Sequence, residues 1–485
     1  MRAIVGVLHL LGTALAIFAA LFLLPLATAV YFGESAVRAF AASALASLVA
    51  GLMLRGLAQP FRTELKPRDG YLLVTTLWLG VAVVATLPFL MLVPGLSFTR
   101  AFFEAISGLT TTGSTVLAGL DALPRSLVLW RHALSWMGGM AIIVMAVAIL
   151  PLLGIGGMQM YRADAPGPVK DAKLAPRIMH GARMLWIAYA GLTAACTVAL
   201  RLAGMRWYDA LCHAFSVMSL GAFSTHDAGI GWYQSPLVET VLAAFMLVAA
   251  MNFSTHFLAL RKGDPGIYGR DPEAKWLVVW VAASIVGISV HVWLRNVYPD
   301  YATTFRYVSF NLVSLATGCG LTSTDYGTWP VFAPMWMLFL GCVCASTGST
   351  GGGIKMFRSL VLAKQSLREL FTLVHPQAVA PLKIGDQLVP DRVVSSVLAF
   401  IFLYFMTIAA LCFALLISGL DFTTAFSAIV ASMNNAGPGL GLVGPGGSYA
   451  RLGDFQLWMC SIAMFLGRVE ILTVLVLFTP AYWRK

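Results

Sequence analysis

The sequence contains little charge. Only 11% of its 485 residues are charged, whereas ordinary soluble domains carry about 25%, and 59% are hydrophobic. A single soluble core stops growing at roughly 250–300 residues, and this composition has too few polar residues to cover several cores. The shortage of charge therefore excludes a soluble enzyme, a disordered protein and a nucleic-acid-binding protein. It indicates a protein that crosses a membrane many times.

Cysteine and histidine are also scarce. The seven cysteines are odd in number, and only Cys342 and Cys344 lie close together. One C-x-C pair without a second pair predicts neither a disulfide framework nor a zinc site. The eight histidines and the acidic residues are scattered, so they do not supply the converging nucleophile, base or metal ligands of a membrane enzyme. The chain is therefore predicted not to be an enzyme.

Long apolar stretches, in contrast, are abundant. A spanning helix needs about 20 predominantly apolar residues, and ten such stretches occur, at 4–30, 36–56, 71–93, 127–153, 184–204, 236–260, 276–294, 330–362, 393–418 and 455–480. The first follows Arg2 as a signal peptide would, but it is long and no small-residue cleavage site stands out, so we expect it to be retained. Ten spans place both termini on one side.

The basic residues predict the orientation. Most of the 32 Lys and Arg lie at the termini or in the connections 55–70, 161–183, 261–275 and 355–392, all on the side of the termini. The positive-inside rule makes that side cytoplasmic. The net charge of +11 therefore reflects topology and says little about partners.

Four shorter, half-apolar segments end in runs rich in glycine and threonine. They align without gaps on an anchor residue, which is in turn Gly113, Ala222, Gly320 and Gly437. Fifteen residues before the anchor each segment has an aromatic residue, Phe98, Trp207, Phe305 or Phe422. Six residues before it stand Ser107, Ser216, Ser314 and Ala431, and three residues before it stand Thr110, Ser219, Thr317 and Asn434. Three shared columns predict a fourfold repeat of span, half-helix, polar loop and span.

Such a unit has a physical interpretation. A half-helix of about twelve residues is too short to cross the bilayer, and the irregular backbone after it is tolerated only inside protein or beside water. The carboxyl end of a helix favours a cation, whereas Asp209 and Asp421 near the helix starts suit the opposite pole. Four loops around an axis would supply rings of carbonyl oxygens that replace the water shell of a cation. Hairpins that only fill space are the alternative.

At these segments the sequence resembles the Trk-type potassium uptake subunits, the TrkH/TrkG proteins. Their four filter loops are similar to TTTGSTV (110–116), SLGAFSTHD (219–227), TGCGLTSTDY (317–326) and NNAGPGLG (434–441), and other family segments are similar to 151–177, GSTGGGIK (348–355) and LGRVE (466–470). The resemblance covers essentially the whole chain. It implies an all-α integral membrane protein with four covalently joined, potassium-channel-like repeats around one pore, at 69–175, 176–270, 271–375 and 376–485, and a separate N-terminal pair of spans at 1–68.

The resemblance also implies a function. It implies uptake of potassium ions, with no organic cofactor, down the electrochemical gradient across the inner membrane of a bacterium, with both termini cytoplasmic. It implies a homodimer in membrane lipid and a cytoplasmic, nucleotide-binding regulatory subunit of the TrkA type. Proton- or sodium-coupled symport and a weakly selective pathway for K⁺ and Na⁺ remain alternatives.

The resemblance assigns filter residues by column. The two residues before each anchor would present carbonyl oxygens to the ion, and these are Thr111, Thr112, Leu220, Gly221, Gly318, Cys319, Asn435 and Ala436. The side chains of Thr110, Ser219, Thr317 and Asn434 would add a lower ring, unless they only pack or cap locally.

Ala222 departs from the family pattern, which generally has glycine at the anchor. A left-handed conformation costs a non-glycine residue about 1–2 kcal/mol, so either the loop distorts or neighbouring packing sustains the strain. We hypothesise that this repeat is looser and that discrimination of K⁺ from Na⁺ is weaker.

The span 330–362 contains a run of small residues. Glycine costs about 1 kcal/mol in a helix interior, so the segment 345–355, with Gly348, Gly351, Gly352, Gly353 and Lys355, predicts an intramembrane loop that closes the pore below the filter, or else a kink at a helix interface. The family resemblance implies the gate. A phosphate-binding P-loop is excluded, because Ile354 rather than glycine precedes Lys355.

A few charged residues stand out. Arg468 is the only basic residue deep in the last span, with Glu470 two positions on. Intramembrane charges usually face a pore or a partner, so Arg468 is either an electrostatic barrier in the pore or half of a structural ion pair with Glu470 or another acid. Asp227 and Asp325 are expected near the outer mouth, where they would raise the local cation concentration.

Overall fold

The computed structural model describes residues 2–58, 68–145 and 174–484. These residues are helical apart from loops and one short antiparallel hairpin, β1 (Lys383–Ile384) and β2 (Gln387–Leu388), in which Lys383 pairs with Leu388. The predicted all-α class is therefore confirmed. Residues 151–173 of the family-like segment 151–177 lie outside the described residues, and so do residues 161–173 of the basic connection 161–183.

An N-terminal pair of helices packs beside the rest of the chain. Helix α1 (Arg2–Phe18) continues through a 3-10 turn into α2 (Leu23–Tyr31), and α3 (Val37–Ala58) returns beside it. The two backbones approach closely at Gly12 and Gly51, since a Cβ atom on Gly12 would lie 2.6 Å from the Gly51 carbonyl oxygen. Small residues at helix contacts are typical of membrane proteins.

The remaining helices follow the predicted order of first span, pore helix and second span four times. The first spans are α4 (Asp69–Ala85) with α5 (Leu87–Leu92), α8 (Leu174–Leu202), α13 (Pro272–Leu294) and α17 (Asp391–Ile417). The pore helices are α6 (Phe98–Leu109), α9 (Trp207–Ser219), α14 (Tyr301–Thr317) and α18 (Phe422–Met433). The second spans are α7 (Arg125–Val144), α10 (Pro236–Ala250) with α11 (Phe253–Lys262), α15 (Phe332–Val343) with α16 (Met356–Val374), and α19 (Asp454–Val469) with α20 (Ile471–Leu475). The short helices α12 (Gly266–Arg270) and α21 (Pro480–Trp483) complete the described chain.

Three of the ten predicted spans are not continuous helices. Helices α10 and α11 meet at 98°, and α19 and the segment 471–478 meet at 105°, so the predicted spans 236–260 and 455–480 are each bent, which their apolar content did not predict. The first break occurs where the Asn252 side chain accepts a hydrogen bond from Ser254 N (2.9 Å) and starts a new helix. The second occurs at Glu470, whose φ is +66°. The third span is interrupted between α15 and α16, as its small residues predict. Within the described residues, seven helices are long and apolar enough to cross a membrane unbroken.

Side-chain caps begin three of the four pore helices. The Ser97 hydroxyl, the Asp300 carboxylate and the Asp421 carboxylate each accept a hydrogen bond from a backbone N–H three residues later. The bonds from the Thr424 backbone and hydroxyl lower the pKa of Asp421 below its ordinary value, as expected for an N-cap carboxylate. Each of the four pore helices ends where its loop begins, so the carboxyl end of the helix lies next to that loop.

Candidate ion-conduction site

The four loops after the pore helices share an unusual backbone conformation. Two residues before each anchor the chain is left-handed, with φ of +58° at Thr111, +54° at Leu220, +79° at Gly318 and +53° at Asn435. Left-handed residues other than glycine are uncommon and cluster at functional sites. The residue that follows it in each loop is not among the positive-φ residues of the described chain, so its φ is negative. Alternation of the two hands turns successive carbonyl groups towards one side of the loop.

The column six residues before the anchor holds these loops in place through its backbone. The Ser107 carbonyl oxygen accepts hydrogen bonds from the N–H groups of Thr112 (2.8 Å) and Gly113 (3.4 Å). The Ser314 carbonyl does the same for Cys319 and Gly320, and the Ala431 carbonyl accepts from Ala436. Because the backbone carbonyl in this column accepts the hydrogen bonds from the loop, an alanine at position 431 can hold its loop as a serine would. The loop N–H groups are bound to the pore helix, so the loop carbonyl oxygens are free to face an ion.

The side chains of the predicted lower ring use their donors elsewhere. The hydroxyls of Thr110, Ser219 and Thr317 donate to carbonyl oxygens one turn back in their own pore helices, at 2.7 to 2.8 Å. The Asn434 carboxamide accepts from the Tyr404 hydroxyl (2.8 Å) and donates to the Cys342 sulfur (3.1 Å). What these side chains can offer an ion is therefore limited to the remaining oxygen lone pairs.

Ala222 differs from the other three anchors in conformation. Gly113, Gly320 and Gly437 have φ of +78°, +79° and +82°, whereas Ala222 is not among the positive-φ residues that the structure describes. Of the two expected outcomes, the loop has adjusted, and no left-handed strain arises at this alanine. Its methyl group lies among the three glycines, since Cβ atoms built on them would lie 2.5, 2.9 and 2.6 Å from the Ala222 Cβ.

Sequence reasoning missed a fourth column, nine residues before the anchor. There Glu104, His213 and Asn311 reach forward from the pore helix to the outgoing part of the same loop. Glu104 accepts from Thr115 Oγ1 (3.0 Å) and Val116 N (3.1 Å), His213 Nε2 lies 3.1 Å from Ser224 Oγ, and Asn311 exchanges two bonds with Ser323. In the fourth repeat the neighbouring Ser427 accepts from Leu440 N (2.8 Å). We call these four contacts the loop clamps. Their residue types differ, and the fourth lies one position outside the column, so only the polarity of the first three could have indicated them.

The segment 344–355 lies directly against the inner ends of the filter loops. A Cβ atom on Gly351 would lie 3.1 Å from the Thr317 carbonyl oxygen, and one on Gly352 would overlap the Asn434 carbonyl oxygen. The Thr350 hydroxyl donates to the carbonyl of Met218 (3.0 Å). Glycine is therefore required here for the close approach of this segment to the loops after the pore helices.

The same loop is tied to the bent second span of the second repeat. Ser346 N donates to the Ala250 carbonyl (2.9 Å), and Phe253 N donates to the Gly348 carbonyl (3.2 Å), on either side of the bend. In the same loop, the backbone N–H of Thr347 donates a hydrogen bond to the carboxylate of Glu273 (2.6 Å). Neither the bend nor Glu273 was predicted from the sequence to belong to the site.

Arg468 is buried, with 2% of its surface exposed, and it binds the loop. Its guanidinium donates to the carbonyls of Thr350 (2.8 Å) and Gly138 (3.3 Å). Glu470 pairs instead with Arg358, whose Nη2 lies 2.9 Å from both carboxylate oxygens. The expected alternative of an Arg468–Glu470 pair is therefore wrong, because the bend at Glu470 turns its side chain to α16.

A small cavity of about 30 Å³ lies at this level, lined by Lys355 together with Arg358, Arg468 and Glu470 and by the three glycines 351–353. Three of these four charged residues are basic. The net positive charge of these four residues therefore lies beside the three glycines, on the inner side of the loop 344–355.

The outer side of the filter opens into a cavity of about 410 Å³ between the loops. Asp227 lines it and accepts a hydrogen bond from Leu120 N (2.9 Å). The His226 Nδ1 lies 2.5 Å from an Asp121 carboxylate oxygen. Asp325 is not among the residues that line this cavity and instead caps the turn at Gly327 (2.9 Å). Among the described residues Asp227 is the acid that lines the cavity, together with Arg131 and His226, and Asp325 lies beside it, because a Cβ atom on the lining residue Gly446 would lie 2.5 Å from an Asp325 carboxylate oxygen.

These features define a class of protein: a multi-pass α-helical membrane protein in which one chain carries four repeats of span, pore helix, loop and span. The sequence profile of the TrkH family, described as "Cation transport protein", matches residues 37–485. The chain belongs to this family, whose members are transporters and not enzymes.

Relatives cover the whole chain. It is 41% identical over 481 residues to the Trk system potassium uptake protein TrkH of Salmonella typhimurium (strain LT2), covering 99% of both chains. It is 39% identical over 429 residues to the Trk system potassium uptake protein TrkG of Escherichia coli (strain K12), covering 87% of each. The crystal structure of the potassium transporter TrkH from Vibrio parahaemolyticus matches with a TM-score of 0.90 and 38% identity, over 100% of this chain and 99% of that one.

Proposed function

We propose that this protein takes up potassium ions through the four filter loops. The observation that carries the proposal is the shared left-handed residue before each anchor, which frees loop carbonyls on one side. The names of the relatives support potassium as the ion. Carbonyls of Thr111, Thr112, Leu220, Gly221, Gly318, Cys319, Asn435 and Ala436 would replace its water shell.

The segment 345–355 is proposed as the gate. It lies against the Thr317 and Asn434 carbonyls, and Arg468 holds it through Thr350. A positive charge beside a cation pathway raises the energy of an ion there. Opening then requires the loop, with its glycines and Lys355, to move away from the filter.

Channel-like movement down the gradient is favoured over symport. Two buried carboxylates near the pore, Glu104 and Glu239, are paired with Arg131 and Arg306 at 2.6 and 2.7 Å. Each of these carboxylates is therefore the structural partner of an arginine, and breaking a buried ion pair is costly. The acids of the outer mouth instead attract cations.

The location and partners are part of the proposal. Arg68 donates to the carbonyl of Arg484 (3.4 Å), so the connection after α3 and the C-terminal end lie on one face. Basic residues on that face support cytoplasmic termini in a bacterial inner membrane. A homodimer and a nucleotide-binding TrkA-type regulatory subunit on the cytoplasmic face complete the proposal.

Ion flux through purified protein in liposomes tests the function. We expect uptake of K⁺ and Rb⁺ down their gradients, weaker uptake of Na⁺, and no coupled signal from a proton-sensitive dye. Gly320→Ala should abolish uptake, because its Cβ would overlap the Ala436 carbonyl oxygen, whereas Gly287→Ala should retain it, because its Cβ meets no atom within 4 Å. Uptake strictly coupled to protons, or none for K⁺, would overturn the proposal.

A further inference from the structure

The clamp of the first filter loop is charged, unlike the other three. Glu104 is fully buried, and Arg131 on α7 has a side chain only 1% exposed, with its Nε 2.6 Å from the Glu104 carboxylate. The corresponding clamp residues of the other repeats are a histidine, an asparagine and a serine. Burial of an ion pair is costly unless its geometry and hydrogen bonds are well satisfied, which raises the question of what this pair does.

Arg131 connects two filter loops. Its Nη2 donates to Thr115 Oγ1 (2.9 Å), two residues after the anchor of the first loop. The face of its guanidinium lies 4.2 Å from the ring centroid of Phe223, directly after the anchor of the second loop. The second loop is the one whose anchor, Ala222, lies among the three glycines. The charged clamp is therefore the element that spaces the first loop against the irregular one.

Spacing is what a carbonyl filter needs to discriminate ions. K⁺ and Na⁺ carry equal charge, and a ring that can contract would coordinate the smaller ion equally well. Arg131 Nε and Nη2 are hydrogen-bonded, whereas its Nη1 has no hydrogen-bond partner among the described residues. In a low-dielectric interior the bonded part of this ion pair is stiff, since each displacement costs more electrostatic energy than it would in water. A neutral hydrogen bond resists contraction less.

We propose that Glu104 and Arg131 form a positioning pair that keeps the first and second filter loops apart and so sets the preference for K⁺ over Na⁺. This inference rests on the potassium uptake proposed above. Neither side chain touches the ion. Both act through Thr115, Val116 and Phe223 on the carbonyl rings.

The test replaces both charges together. The double variant Glu104→Gln with Arg131→Met removes the ion pair without leaving one buried charge unpaired, which is the case that proteins tolerate best. We expect K⁺ uptake into liposomes to persist and the ratio of Na⁺ to K⁺ flux to rise about tenfold, equivalent to about 1.4 kcal/mol of lost discrimination.

A second ion pair provides the matched control. Glu239 and Arg306 (2.7 Å) tie α10 to pore helix α14 and contact no filter loop. Glu239→Gln with Arg306→Met makes the same chemical change, and its flux ratio should stay within twofold of the native value. An equal rise in both double variants would show general loosening and overturn the inference.

A milder variant decides the outcome if the first double variant does not fold. Thr115→Val removes the hydroxyl between Glu104 and Arg131 but leaves both charges in place, and we expect a smaller rise in the same ratio. An unchanged ratio in this variant or in the folded double variant overturns the positioning role. A native protein without K⁺-selective flux would instead refute the proposed function, so the two failures are distinguishable.

Discussion

At the scale of single residues, one methyl group distinguishes the second filter loop from the others. The Ala222 Cβ lies where the three anchor glycines leave space, and the loop has given up the left-handed anchor conformation to place it there. Along the proposed potassium pathway, this methyl group would narrow the ring of anchor residues at one point.

Ala222→Gly should increase the rate of K⁺ uptake. Removal of the methyl group widens the ring and allows the second loop to adopt the conformation of the other three. We expect about a tenfold rise, which corresponds to a barrier lower by about 1.4 kcal/mol, together with a higher ratio of K⁺ to Na⁺ flux. Initial rates in liposomes at equal protein content measure both.

Ala228→Gly is the control for this change, since it makes the same substitution six residues later at an exposed position of the same segment. Its rates should equal those of the native protein. A variant at 222 with native rates and a native flux ratio would contradict both the steric effect and the hypothesis of weaker selectivity.

Residue columns show what sequence comparison within the chain can detect. The columns six and three residues before the anchor contain similar small polar residues, and they were predicted. The clamp column contains Glu104, His213, Asn311 and Ala428, which share no size or charge. The first three bind the outgoing loop through their side chains, and in the fourth repeat the neighbouring Ser427 does so instead, so no single column of the sequence contains all four contacts.

At the scale of elements, the loop 344–355 separates α15 from α16, where an unbroken span would be one continuous helix. It binds the carbonyls of Met218 and Ala250 in the second repeat and the guanidinium of Arg468 in the fourth, and Arg468 in turn donates to the Gly138 carbonyl of the first repeat. A helix could not make these contacts, because its carbonyls and N–H groups are bound to each other. The loop therefore has a position that depends on every neighbouring repeat, which suits an element that must respond to them.

Arg468→Ala should weaken the attachment of the loop 344–355 to α19. The variant loses the bond from the guanidinium to the Thr350 carbonyl and the positive charge beside the pathway. We expect basal K⁺ leak through the protein, in the absence of any regulatory subunit, to increase severalfold. Potassium flux from loaded liposomes measures it.

Arg451→Ala serves as the matched arginine, because Arg451 is exposed on the same repeat. It should leave the leak unchanged. If Arg468→Ala only reduced the yield of folded protein, with native leak in what remained, Arg468 would be a structural residue and not part of the gate.

The breaks in the second spans were not predictable from apolar content. The windows around Asn252 and Glu470 remain apolar on average, so a single polar residue does not interrupt them. What bends the chain is the local conformation, a side-chain cap at Asn252 and a positive φ at Glu470. The partner of Glu470 is Arg358, on a different repeat and 112 residues away in the chain.

At the scale of the whole molecule, one chain forms all four quadrants around the pathway. The ten apolar stretches, their order and the four loops were predicted from hydropathy and internal alignment, since both depend on local composition. Contacts between quadrants, such as Asn435 with Thr112 (2.9 Å) or Ser114 with Gly437 (2.9 Å), join positions 323 residues apart. No local pattern contains that information.

The orientation of the whole molecule can be tested with thiol labelling. All seven native cysteines are free, and six are buried while Cys342 is partly buried, so a membrane-impermeant maleimide should leave the native protein in intact cells unmodified. Ala118→Cys, at an exposed position beside the outer mouth, should react from outside. Gly269→Cys, in the short exposed helix α12, should react only after the membrane is permeabilised.

Each variant controls for the other, because both add one exposed thiol to the same background. The reverse pattern, with Gly269→Cys labelled in intact cells and Ala118→Cys protected, would invert the proposed topology. Native activity of both variants would show that the added thiols do not disturb the fold.

The anchor ring also has a genetic consequence. In a pore built from four copies of one subunit, a codon change alters all four quadrants at once, so Gly to Ala would place four methyl groups on the axis. Here Ala222 is encoded separately from Gly113, Gly320 and Gly437, and a point mutation changes one quarter of the ring. Such a gene can change one quarter of the anchor ring while the other three quarters stay as they are.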